Sequence, residues 1–371
     1  MQAWYWVWGA GEDSPVKVNR GVICSRVLFR YNPNMRKLVF AIVILICVIF
    51  LIAKFSEVES IIETIKHGDW RFLGLSVLLI VLWLVNNAAS YKLIFSGTGI
   101  QEKIEKLLLL VAASNFLNIV APTAGMSGMA IFISEAKRRG YSTGRVTVAG
   151  VLFTWFDYAA FLLILSMGLI ILVRRNNLNY AEIIATLILF LTASIIAYLL
   201  YVGTQSAEKL SSALVGLTRA ANKILKPFIH REYLSEQRAI GFACEANDGL
   251  KAFPHRPVYI IFPFLLAFTG KIILMLILLL MFLAFDVPLT PGTLIAGFSL
   301  GYLFMIVSPT PAGIGFVEGG LTLALSTLYV PFGQAAVVAI SYRGITFWLP
   351  LLFGAYAFRF LYNTKKPEPA S

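Results

Sequence analysis

The chain has 371 residues, 58% of them hydrophobic and only 13% charged, with a mean hydropathy of +0.79. A soluble domain carries roughly 25% charged residues, and several apolar runs here approach the ~20 residues a helix needs to cross a bilayer, so an ordinary soluble protein is excluded. The formal charge of +12 does not require nucleic acid as a partner, because polytopic membrane proteins gather Lys and Arg in cytoplasmic loops and against anionic headgroups.

Most of the apolar runs do not alternate with period two, which predicts spanning helices rather than an outer-membrane barrel. Cys24, Cys47 and Cys244 fall at no metal or redox spacing, and the three histidines are scattered. No metal site, cofactor or structural disulfide is expected.

Residues 1–34 open with Trp4, Trp6 and Trp8 and contain basic residues up to Arg30. No apolar core of signal-peptide type follows the start. Met35-Arg36-Lys37 followed by an uncharged run reads as a natural beginning. Residues 1–34 are therefore expected to be a mis-called extension or a disordered cytoplasmic tail.

Eight hydrophobic segments follow. The first covers about 38–53, and 55–71 is amphipathic, with Glu57, Glu59, Glu63 and Asp69. The second covers about 72–95. The third, about 107–133, is interrupted by Asn115, Asn118, Pro122, Gly125 and Gly128. The fourth and fifth cover about 148–173 and 182–202. A polar loop over 203–256 places Leu210, Leu214 and Leu217 at helical spacing. The sixth, about 257–285, has Lys271 near its middle. The seventh, about 293–329, is interrupted by Pro309, Pro311, Gly313 and Gly315; the eighth, about 332–361, precedes a 362–371 tail with Lys365 and Lys366.

The basic residues set orientation. Arg36, Lys37, Lys92, Lys103, Lys106, Lys137, Arg138, Arg139, Arg145, Lys223, Lys226, Lys365 and Lys366 mark the inside, with both termini cytoplasmic. The acidic 55–71 stretch and the 286–292 link fall outside, where Arg174 and Arg175 conflict mildly. Segment three then has inside signals at both ends. It is expected to enter, turn at Pro122-Thr123-Ala124-Gly125 and leave on the same side, and segment seven to do the same from outside. The predicted architecture is all-α and integral to the membrane, with about six full spans and two re-entrant broken-helix hairpins.

The two breaks resemble each other. Ile119-Val120-Ala121-Pro122-Thr123-Ala124-Gly125 aligns with Ile306-Val307-Ser308-Pro309-Thr310-Pro311-Ala312-Gly313 at six identities if Pro311 is one insertion. Asp157 and Arg343 follow at nearly the same offset, each inside an apolar helix. Residues 72–173 and 257–361 thus read as an inverted repeat within a membrane domain of residues 35–361. Paired broken helices in an inverted repeat characterise many secondary transporters, whose site lies at the repeat interface.

At these residues the sequence resembles the membrane region of lysylphosphatidylglycerol synthases. The resemblance rests on Pro309 through Gly315, Glu318-Gly319, Tyr342-Arg343 and Phe347-Trp348-Leu349-Pro350, and on Pro122 through Gly128 followed by Lys137-Arg138-Arg139-Gly140. It implies a flippase-like domain that moves a decorated lipid between leaflets of the cell membrane. Ala312 and Thr154 depart from the family pattern. The sequence ends at Ser371, shortly after its last span, so the aminoacylation chemistry of the synthases is expected to lie in a separate lipid-modifying enzyme.

A charge at the bilayer centre costs about 2.5–3.5 kcal/mol on insertion scales. Asp157, Lys271, Glu318 and Arg343 should therefore face the interior, and some should pair. Together with Asn115 and Asn118 they are the candidate lining of a headgroup cavity, with interhelical packing as the alternative role. Pro122, Thr123, Gly125, Gly128, Pro309, Thr310, Pro311, Gly313 and Gly315 are the candidate turn residues. There proline stops a helix, glycine admits positive φ, and the restarting half-helix points its positive end at mid-membrane. The expected function is transport of a polar-headgroup (phospho)lipid without catalysis. A membrane enzyme using Glu318 or Asp157 as acid or base, and a proton-coupled small-solute transporter, are the alternatives.

Overall fold

The structure, a computed structural model, describes residues 66–120, 126–175, 180–225, 236–253, 256–308 and 313–363. The expected first span, the N-terminal tail and the turn residues Pro122, Thr123, Gly125, Pro309, Thr310 and Pro311 lie outside the described residues.

The described helices are α1 Trp70–Gly97, α2 Ile104–Val120, α3 Met126–Arg138, α4 Thr143–Arg174, α5 Tyr180–Gln205, α6 Ala207–Leu225, α7 Glu236–Ala252, α8 Val258–Ala284, α9 Pro291–Val307, α10 Phe316–Thr327, α11 Phe332–Arg343 and α12 Leu349–Asn363. A π-helical turn, Gly344–Trp348, joins the last two. Among the described residues, α1, α4, α5, α8 and the continuous run Phe332–Leu361 are long and apolar enough to cross a membrane. The protein is thus a multi-pass helical membrane protein. Within the polar 203–256 region the described residues form α6 and α7, in line with the helical spacing of Leu210, Leu214 and Leu217.

Local chemistry explains where these helices start. Asp69 caps α1 by accepting from Arg71 N at 2.9 Å. Thr290 caps α9 by accepting from Thr293 N at 3.1 Å, and Pro291 occupies the first turn, where its missing N–H costs nothing. The helix interiors are apolar on most faces, as a lipid solvent requires. Ile184, Leu187, Leu191 and Tyr198 of α5 are all more than half exposed.

Segments three and seven are each a pair of antiparallel half-helices. In the first pair, Asn118 Oδ1 accepts from Gly128 N at 2.7 Å and from Ser127 Oγ at 3.1 Å. Farther from the turn, Lys106 pairs with Glu135 and Arg139 with Glu102. The contacts run in opposite chain directions, which only a hairpin allows. In the second pair Gly297 faces Leu325, Gly301 faces Leu321, and Phe304 meets Gly320 and the Phe316 ring.

The two hairpins open toward opposite ends of the helix bundle. At one end, Asp69 N bonds Ala284 O at 2.9 Å, and Arg175 donates to Thr290 and Thr293 at 3.1 and 3.3 Å. These hydroxyls give Arg175 a local reason to sit at this end. The second hairpin opens here. At the other end, Thr143 Oγ1 and Gly144 N donate to Glu245 of α7, and the Phe253 and Tyr259 rings press on Gly97. The first hairpin opens here, among Lys103, Lys106, Lys137, Arg138 and Arg139.

Packing between distant parts of the chain is reciprocal. α1 lies along α8, where Asn86 Nδ2 donates to Leu266 O at 2.9 Å. α2 lies along α12, and α9 along α4. Glycines make both of the latter approaches close: Gly354 faces Ala112 O and Phe116, and Gly168 faces Ser299, whose Oγ donates to Ile164 O at 3.2 Å. The hairpin tips meet in one apolar cluster. Phe116, Val120, Phe347 and Leu351 are buried there, with Ile119 from the first hairpin and Ile314 from the second packed against them.

This packing carries an expected result. A Cβ at Gly128 would collide with Ser114 Oγ and come within 2.6 Å of Asn118 Oδ1. Gly128→Val is expected to destabilise the protein by about 1–3 kcal/mol through overpacking. Gly74→Val, at a site with open space around it, should not. Thermal unfolding of both in detergent checks the difference.

Candidate functional site

Two buried charge clusters lie inside the bundle. The first joins α4, α8 and α9. Lys271 is the middle residue of α8, roughly 20 Å from either end at 1.5 Å per residue. Its Nζ donates to Asp157 Oδ1 at 2.5 Å and also to the Tyr302 hydroxyl oxygen. The Tyr302 hydroxyl in turn donates to Asp157 Oδ2 at 3.1 Å. These three groups form a closed ring in which both carboxylate oxygens and the hydroxyl have partners. Lys271 also lies 4.0 Å from the Tyr302 ring centroid, while Phe161 and Phe298 pack on that ring.

The second cluster sits at the tip of the second hairpin. Arg343 is the last residue of α11 and only 4% exposed. Its Nε donates to Glu318 Oε1 at 3.0 Å, and its guanidinium carbon stacks 4.7 Å from the Phe347 ring centroid. Phe347 lies within the π-helical turn, two residues before α12 begins at Leu349. Pro350 accounts for that turn: its ring and missing N–H disrupt the bond that the Thr346 carbonyl would otherwise receive. Gly313 and Gly315 adopt φ of 77° and 73°, which glycine tolerates and other residues resist. An added Cβ at Gly313 would lie 3.9 Å from Arg343 Nη2, so the hairpin tip touches the guanidinium. Glu318 occupies the first turn of α10, where a carboxylate favours the positive helix end.

The clusters differ in completeness. Glu318 Oε2 is buried without a hydrogen-bond partner, whereas both oxygens of Asp157 are bonded. Tyr302 and Tyr342, the residue before Arg343, pack in one apolar cluster that lies between the two sites.

Of the remaining sequence-derived candidates, Asn118 spends its carbonyl oxygen on holding the first hairpin closed. Asn115 Nδ2 is buried and has no partner. At the open end of that hairpin, burial pushes the Glu135 carboxyl up. The Lys106 hydrogen bond and the charges of Lys106, Arg138 and Arg139 outweigh burial and hold it below the ordinary carboxylate range. This stabilisation is present above the ordinary carboxylate value and is lost as pH falls through the lowered one.

Sequence reasoning missed Tyr302. Its aromatic ring reads as one more apolar residue in segment seven, and only the pairing of α9 with α4 brings its hydroxyl to Asp157. Its position about two turns before the second break, on the face of Phe298, is the available signal.

Comparison with known proteins places this arrangement. Residues 38–354 match the family of the lysylphosphatidylglycerol synthase TM region. The chain belongs to that family. The match contains Asp157, Lys271, Glu318 and Arg343, and so both charge clusters. The chain is also 23% identical over 326 residues to a UPF0104 membrane protein of Methanocaldococcus jannaschii, covering 85% of this chain and 93% of the relative. It is 24% identical over 344 residues to a UPF0104 membrane protein of Pyrococcus horikoshii, covering 84% and 94%. Membership of the lysylphosphatidylglycerol synthase TM-region family is compatible with a lipid-related role in a membrane.

Proposed function

We propose that the protein is a lipid carrier of flippase type, which moves a polar-headgroup phospholipid between the leaflets of the cell membrane without altering it covalently. The observation that carries this reading is the meeting of two oppositely opening hairpins beside Arg343. Irregular backbone at membrane depth is tolerated where protein covers it or where it lines a cavity. The tips, read as re-entrant, would line the headgroup path, and the acyl tails would stay in lipid.

The reciprocal packing supports the inverted repeat. If 72–173 and 257–361 are related by a two-fold axis in the membrane plane, α2 on α12 and α9 on α4 are equivalent contacts. α1 on α8 is then the contact on the axis itself. Secondary transporters built this way bind substrate at the repeat interface. Arg343 supplies a cation for the lipid phosphate, and its planar fork suits two phosphate oxygens. The partners in this reading are membrane lipids and a separate lipid-modifying enzyme.

In this scheme the α6–α7 region and both termini are cytoplasmic, and the 286–292 link is external. Cysteine introduced at Gly216 should react with an impermeant maleimide only after the membrane is opened, and cysteine at Pro288 should react in intact cells. The opposite pattern would contradict the topology.

The function itself is tested by reconstituting the protein into vesicles that carry a trace of tail-labelled phosphatidylglycerol and following its arrival in the opposite leaflet. Transfer well above protein-free vesicles is expected. Transfer indistinguishable from them, by protein that remains folded, would reject the reading.

A further inference from the structure

We propose that an anionic headgroup binds Arg343 together with one proton taken up by Glu318, which makes the carrier an electroneutral anion–proton cotransporter. This rests on the lipid-carrier reading above.

Arg343 and Glu318 neutralise each other across 3.0 Å. An arriving phosphate monoanion is drawn by the guanidinium and by the positive end of α10. It must compete with the Glu318 carboxylate for that guanidinium and would lie beside a second negative charge. A net charge at membrane depth is expensive. The complex regains neutrality if Glu318 changes from carboxylate to carboxylic acid, one proton entering for each anion.

The groups around Glu318 leave it as the one that responds. α10 packs on α9 and α11, whose titratable residues are Tyr302, Tyr342 and Arg343. Tyr302 is committed to Asp157 and Lys271. Arginine does not lose its proton in proteins. No second acid on these helices could take up the proton.

Glu318 Oε2 also distinguishes a proton from a bulkier cation. It is enclosed and has no hydrogen-bond partner. An ammonium group belonging to a zwitterionic lipid needs room and several acceptors there. A proton needs neither. The Asp157–Lys271–Tyr302 ring has no such vacancy, so the proton is assigned to the second cluster.

The full chain is reconstituted into phosphatidylcholine vesicles with a trace of tail-labelled phosphatidylglycerol, under an imposed difference of about one pH unit and no voltage. Cotransport of one proton per lipid predicts that label accumulates in the leaflet on the alkaline side, by up to about tenfold per unit, after subtraction of protein-free vesicles. A proton ionophore should abolish the asymmetry. In Glu318→Gln, a fixed neutral form, whatever transfer remains should settle equally on both sides despite the gradient. Transfer by the wild-type protein that settles equally despite the gradient would overturn the coupling and leave the carrier reading standing. Faster transfer of labelled phosphatidylethanolamine than of phosphatidylglycerol, with no response to the gradient, would overturn it in favour of an ammonium group at Glu318. Absence of any transfer by folded wild-type protein would remove the carrier reading and the coupling with it. If Glu318→Gln does not fold, the wild-type gradient experiment decides alone.

Discussion

Exchange of Arg343 for Met is expected to abolish phospholipid transfer while leaving a folded protein. Among the described residues, Arg343 is the one basic side chain buried at the hairpin tips. It is held by Glu318 at 3.0 Å and by the Phe347 ring. On the proposed path, removing it deletes the buried cation that the lipid phosphate would meet. Loss of a single buried charge-assisted contact of this kind costs several kcal/mol, a reduction in rate of two to three powers of ten or more. The fold should survive because Arg343 and Glu318 tie together α10 and α11, which are already neighbours along the chain. Replacing a whole buried pair often costs little net stability, whereas removing one partner costs more, so the double exchange below is the cleaner control for folding. Arg343→Lys keeps the charge but loses the planar fork, so it should recover only part of the rate. The double exchange Arg343→Met/Glu318→Gln should also be folded and inactive. Leaflet-resolved transfer, read beside size-exclusion profiles, checks all three; normal transfer by folded Arg343→Met would reject the assignment.

Lys271→Met is expected to produce the opposite outcome, a large loss of folded protein. Lys271 is 2% exposed at the centre of α8 and bonds residues of two other helices, α4 and α9, that are remote in sequence. Its removal leaves Asp157 with one unpaired oxygen and removes the link between three elements at once. Breaking a buried pair from one side typically costs about 3–5 kcal/mol, a large share of the roughly 5–15 kcal/mol that holds a domain together. Lys271→Met/Asp157→Asn removes both charges and should recover most of the loss. Tyr302→Phe should cost less, since Lys271 and Asp157 stay paired. Thermal unfolding in detergent orders these variants: Lys271→Met the least stable, the double variant and Tyr302→Phe between it and wild type. Equal stability of Lys271→Met and wild type would show that the ring does not hold the helices together.

Much of this organisation is legible in the sequence, for identifiable reasons. Long apolar runs mark α1, α4, α5 and α8 because hydrocarbon admits few other spanning structures. The breaks in segments three and seven are visible because Pro and Gly interrupt an otherwise continuous pattern, and the half-helices on either side do fold back on each other. Arg343, Glu318, Asp157 and Lys271 stand out because charge inside an apolar run is costly enough to need a reason.

Pairing was less legible. Nothing in the spacing of Asp157 and Lys271 says that they meet, because the meeting depends on how α4, α8 and α9 pack. Tyr302 hides among apolar residues, since most of its surface is a hydrocarbon ring. Asn118 looks like a ligand-binding amide in sequence, and only the return of α3 past α2 reveals that Gly128 N occupies it. The π-helical turn before Pro350 is a backbone response that residue types alone do not specify. The helical spacing in 203–256 was readable, but the docking of α7 onto the start of α4 through Glu245 was not.

The claim at the centre of this account is that a lipid headgroup passes between the hairpin tips beside Arg343. A phospholipid with a photoactivatable headgroup, illuminated in vesicles holding the full chain and followed by peptide mapping, tests it most directly. Adducts on Ile314, Glu318 or Phe347 are expected, and they should be lost in Arg343→Met. Adducts confined to outward-facing residues such as Leu187, Leu191 and Tyr198 of α5, unchanged in Arg343→Met, would contradict it.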